Sequence, residues 1–105
     1  MTEARLGVGA GEWILGTWQL LRAEAPLELQ AGTRMHFGAD QQLEYTIPTP
    51  QGALRIALVW RLEGAVLRTE LEDGTNPVQA DVEIDAADVL TIRFGGPRAW
   101  FVRAR

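Results

Sequence analysis

No cysteine, serine or lysine occurs anywhere in the sequence, and His36 is its one histidine. The missing cysteine excludes a disulfide framework, a thiolate metal site and a thiol nucleophile. The missing serine excludes Ser-His-Asp chemistry, and the missing lysine excludes Schiff-base chemistry and a phosphate-loop lysine. A single histidine cannot build a multi-histidine zinc or iron site within one chain, so no metal and no cofactor is expected. Positive charge is also scarce. Ten arginines face fourteen carboxylates for a net charge of −4, and they are scattered among those acids. Phosphate recognition needs clustered cations, so neither nucleic acid nor an anionic membrane surface is an expected partner. No apolar run approaches the length of a membrane span. Residues 1–12, "MTEARLGVGAGE", carry acids and glycines where a secretory leader would carry an apolar core, which makes a cytoplasmic location the expectation.

What remains is an ordinary globular composition, 47% hydrophobic and 23% charged over 105 residues, which fits one domain with one core. The Gly/Ala-rich residues 1–12 read as a flexible N-terminal arm and 13–105 as the domain. From Trp13 onward apolar residues recur with period two. Strands are expected at "WILGTWQLLR" (13–22, bent at Gly16), "TRMHF" (33–37), "QLEYTI" (42–47), "ALRIALVWRL" (53–62), "AVLRTEL" (65–71), "PVQADVEI" (77–84), "VLTIRF" (89–94) and "AWFVR" (99–103). No stretch keeps a helical period. Short connections such as "GADQ", "PTPQG", "EG" and "GGP" make each consecutive pair an antiparallel hairpin. The fold class is therefore all-β: an eight-stranded antiparallel up-and-down meander. Closing it into a small barrel removes both open edges, and a two-sheet β-sandwich is the alternative.

Side-chain alternation assigns the faces. Met35 and Phe37, Leu43, Tyr45 and Ile47, the even residues 54–62, then Val78, Ala80, Val82 and Ile84, and finally Leu90, Ile92 and Phe94 point toward one interior. His36 falls on the outer face, between inward neighbours, where a role as a metal or haem ligand is not expected. The acids of "ELED" (70–73) and "IDAAD" (84–88) suit solvated faces and turns. No inward set contains a carboxylate pair for acid–base work.

Gly16-Thr17-Trp18, placed on the first strand of such a meander, resembles the Gly-x-Trp signature of the lipocalin superfamily and its smaller lipocalin-like bacterial relatives. The resemblance implies that Trp18 lies across a closed end of a barrel and that Gly16 lets the crossing chain approach. It also implies that a basic residue of the last strand, here Arg103, covers the indole. The larger family's C-terminal helix and disulfide have no counterpart in this sequence, so a small pocket at one end is expected, or none. Eight strands leave room for side chains or for one small ligand.

Met35, Phe37, Tyr45, Leu58 and Trp60 are the candidate pocket residues, though packed core is the favoured reading of Met35, Phe37, Tyr45 and Trp60. Arg22 shares the parity of Trp18 and Leu20 and reads either as a guanidinium inside the mouth for a carboxylate ligand or, preferentially, as a rim arginine snorkelling to water. Three readings follow. The leading one is a non-catalytic binding module holding a small hydrophobic or amphipathic ligand. The second is a structural or interaction domain whose filled barrel forms a homodimer or binds a protein partner. The third, least supported, is an enzyme using Tyr45, Arg22 or a carboxylate by position alone.

Overall fold

A computed structural model describes residues 12–27 and 29–104; the N-terminal arm expected at 1–12 lies, apart from Glu12, outside the described residues. A short 3₁₀ turn, Glu12–Ile14, precedes eight strands. They are β1 (Gly16–Ala23), β2 (Arg34–Phe37), β3 (Gln42–Thr49), β4 (Gly52–Glu63), β5 (Val66–Glu70), β6 (Val78–Ile84), β7 (Val89–Arg93) and β8 (Arg98–Arg103). Each pairs antiparallel with the next, and β8 returns to pair with β1, so the sheet is a closed barrel and the two-sheet sandwich is set aside.

Period-two patterning explains the register, because facing residues of neighbouring strands share a side. Leu43 pairs with Leu58 and Tyr45 with Ile56 across β3–β4. Val82 pairs with Ile92 across β6–β7, and Leu90 with Phe101 across β7–β8. A slip of one residue would carry each of these side chains into water. The hairpins follow from their turns. Gly64 takes φ 62° as the first residue of the two-residue β4–β5 turn, a conformation that favours glycine. Asp85 Oδ1 accepts hydrogen bonds from the Ala87 and Val89 amides in the β6–β7 turn, a local use for a carboxylate expected in a turn.

One end of the barrel is closed. Trp18 is fully buried, and its indole Nε1 donates to the carbonyl of Ile14 at 2.9 Å. The Arg103 guanidinium lies 4.1 Å above the ring centre. It donates from Nη1 to the Leu15 carbonyl at 2.6 Å and from Nη2 to the Trp13 carbonyl, while Nε reaches Asp88 at 3.3 Å. Gly16 stands at φ 110°, and a Cβ there would come within 3.3 Å of Arg103 Nη1. Trp13 and Ile14, expected within the first strand, instead form the 3₁₀ turn. The left-handed backbone of Gly16 separates that turn from β1, letting the turn supply carbonyls to Trp18 and Arg103.

The opposite end is open, for a reason visible in strand lengths. β4 has twelve residues and pairs with β3 along residues 52–59, but it meets β5 only from Val59 to Glu63. Five-residue β5 then gives way to the loop 71–77. On the open side β4 therefore lacks a paired neighbour along its β5 edge. Among the described residues no helix is long and apolar enough to cross a membrane.

Candidate functional site

The open end contains two adjoining cavities. The larger, about 380 Å³, lies where β4 leaves β5; Ile56 and Leu58 form one wall, and Thr69, Leu71, Val78 and Ala80 the other. The smaller, about 290 Å³, lies under the β1–β2 connection, with Leu27, Leu29, Gln30 and Thr33 above it and Ile47 and Phe101 beside it. Tyr45, Ile56 and Phe94 border both, so the two are lobes on either side of a shared ring of side chains.

The walls are apolar, with a few neutral polar groups. Burial pushes the Tyr45 phenol above its ordinary pKa, and it stays protonated as a donor. No hydrogen bond joins that phenol or the Thr69 hydroxyl to another described residue. Thr69 is buried at 9% exposure, but neither oxygen is a fully buried group without a partner, so both are reached from the open end. The hydroxyl of Thr33, by contrast, is committed to the Gln30 carbonyl at 2.7 Å. No carboxylate and no arginine lines either lobe among the described residues. No group of three or more acidic or histidine side chains there is placed to hold a metal.

The six candidate pocket residues separate by depth. Tyr45 and Leu58 line the cavity. Met35 and Phe37 are 0% and 1% exposed and pack in the closed half. Trp60 joins them there: its ring meets Phe37 edge-on at 5.4 Å, and its Nε1 donates to the Gly38 carbonyl at 3.1 Å. Arg22 is outside the barrel. The β1–β8 register pairs Leu20 with Phe101 but Arg22 with Trp100, so Leu21 is an extra, bulged residue. The bulge reverses parity, and the Arg22 guanidinium stacks 3.8 Å from the centre of the outward Trp100 ring instead of entering the mouth. His36 also points outward, with Nδ1 2.8 Å from the Thr17 hydroxyl.

Thr69, Phe94, Ile56 and the loop residues Leu27 and Leu71 are lining residues absent from the sequence-derived candidates. Thr69 had a readable signal, as the polar residue at an inward position of β5 between Leu67 and Leu71. The β1–β2 connection had none, since its place over the mouth depends on tertiary packing.

The sequence matches no family model and no curated protein. A crystal structure of a lipocalin-like protein from Bacteroides uniformis is similar in fold, with a TM-score of 0.72 at 15% sequence identity over 88% of this chain and 99% of that one. The chain has a lipocalin-like fold.

Proposed function

We propose that this lipocalin-like barrel is a non-catalytic binding module that holds a small hydrophobic or amphipathic molecule in the two-lobed cavity at its open end. The observation that carries the reading is the space of about 380 Å³ walled by Ile56, Leu58, Leu71 and Val78. That volume falls in the range of small-molecule sites, and apolar walls with a few neutral polar groups are the usual composition of such sites. The reading without catalysis is supported by the lining, which sets no carboxylate beside Tyr45 to act as a general base. A barrel filled by its own side chains would leave no such space, so the cavity weighs against a purely structural role.

Native mass spectrometry of gently purified protein, joined to tryptophan-quenching titrations with fatty acids, fatty alcohols and flat aromatic molecules, tests the proposal. A retained adduct or saturable quenching is the expected result. No adduct and no quenching at high ligand concentration would overturn it.

A further inference from the structure

We propose that the cavity selects a neutral molecule, with an apolar body and a hydroxyl or carbonyl at one end, that enters polar end first, and that it rejects the matching carboxylate. This rests on the binding reading above and specifies its ligand class.

The first observation is the placement of polar groups. The Tyr45 phenol borders both lobes, and the Thr69 hydroxyl belongs to the inner wall of the larger one, on a residue paired with Trp60 on one side and Val78 on the other. Neither has a hydrogen bond to another described residue, and neither is a fully buried group without a partner, so both remain accessible from the lobes their residues line. The rim is mixed, with exposed Gln30 and Asn76 among the residues that line the lobes from the mouth loops. Leu29, Leu54 and Val78 are 37%, 51% and 47% exposed at the open end, and Leu29 and Val78 also line the lobes. An amphiphile with its head in water would need only a bare apolar interior; here the interior also carries the Tyr45 and Thr69 hydroxyls. The arrangement fits a ligand whose polar end is satisfied inside and whose tail contacts the leucines and valine at the lip.

The second observation is charge. No cation lines either lobe among the described residues, and Arg34, Arg55 and Arg93, next to lining residues in the chain, alternate to the exposed outer face. Arg98 is bidentate to Glu24, with Nε and Nη2 at 3.1 and 2.9 Å from its carboxylate oxygens. Arg22 stacks outside on Trp100, and Arg103 belongs to the floor. The loop between the lining residues Leu71 and Asn76 carries Glu72 and Asp73. Hydrogen bonds from Thr75 hold the Asp73 carboxyl below its usual range, so it is ionised at neutral pH. An ionised ligand carboxylate would pass a negative lip and lose its hydration without a counter-ion inside.

The test is displacement of N-phenylnaphthylamine, a neutral fluorescent probe, at pH 8 by decanol, methyl decanoate and decanoate, which share chain length and differ in head group. Decanol and methyl decanoate are expected to displace the probe at concentrations at least about ten-fold lower than decanoate. Tyr45→Phe or Thr69→Val is expected to weaken decanol by about five-fold, the size of one lost hydrogen bond. Thr69→Val keeps the shape of the side chain, so the measurement survives if Tyr45→Phe fails to fold. Decanoate binding as well as or better than decanol overturns the inference and leaves the binding reading intact. Unchanged decanol affinity in both variants overturns the polar-end-first orientation. Absence of probe binding, together with no thermal shift from any of the three molecules, overturns the binding reading and this inference with it.

Discussion

Arg103 does three things with one side chain. It covers the Trp18 ring, it supplies donors to the carbonyls of Leu15 and Trp13 where the entering chain has no strand partner, and it pairs with Asp88. The ion pair is half exposed on the Asp88 side and contributes little in water. The other two contacts are different in kind. Charge-assisted hydrogen bonds to backbone oxygens and a cation over a buried indole depend on geometry rather than on bulk screening. Arg103→Met, which keeps much of the aliphatic stem, is therefore expected to destabilise the protein by about 3 kcal/mol. Urea unfolding followed by tryptophan fluorescence measures it. High salt should leave most of the difference in place; a difference that vanishes in salt would assign the effect to Asp88 instead. His36 gives a contrasting case. It sits on the outer face with Nδ1 beside the Thr17 hydroxyl and touches neither the floor nor the cavity.

At the scale of elements, closing the barrel depends on the β1–β8 seam, which joins the two ends of the meander. Arg103 clasps it at the floor, and Glu24 clasps it at the mouth by accepting from the Arg98 backbone amide at 2.9 Å and from its guanidinium. Hydrogen bonds from the Arg98 side chain, then from its amide, hold the Glu24 carboxyl below its ordinary 4.5. A carboxyl whose folded pKa is depressed adds stability above its unfolded pKa and loses it as pH falls through the folded value. The stability gap between wild type and Glu24→Gln should therefore be widest near neutral pH and shrink below about pH 4.5, as urea midpoints across pH 3–7 would show. The group is partly open to solvent, so added salt should narrow the gap as well. A gap independent of pH would mean that the neutral amide fails for a reason other than charge. The seam also marks the limit of reading strands from the sequence. All eight strands were legible because alternation is a local property. The parity of Arg22 was not, because Leu20 and Leu21 are both apolar and either could be the inward residue, which hides the bulge. Trp13 and Ile14 were misread for a similar reason: apolar residues next to a glycine fit a strand or a turn equally well.

For the molecule as a whole, alternation reveals which face a residue takes but not how far along the barrel it lies. Met35, Phe37, Trp60, Tyr45 and Leu58 are all inward, yet the first three fill the closed half and only the last two reach the cavity. Depth is decided by the mismatch between long β4 and short β5, a relation between elements that no single stretch of sequence encodes. The same mismatch yields a test of whether the space persists in solution. Ala80 is an inward residue of β6, 5% exposed, paired with Leu67, and its side chain borders the larger lobe. Ala80→Leu adds three carbons there. In a filled core this enlargement would force neighbours off their rotamers at a cost of about 1–3 kcal/mol. Placed against open space, the added carbons instead gain burial worth roughly 0.8 kcal/mol each, before the loss of side-chain freedom. A net gain near 1 kcal/mol is expected, which for a domain of this size raises the melting temperature by about 4–8 °C. The same substitution occupies part of the lobe, so probe affinity should fall at least about ten-fold while the fold is kept, a combination that separates loss of space from loss of structure. Calorimetry and the displacement assay on one preparation measure both. A lowered melting temperature with native-like circular dichroism would mean that the lobe closes in solution, and the binding reading would lose the observation it rests on.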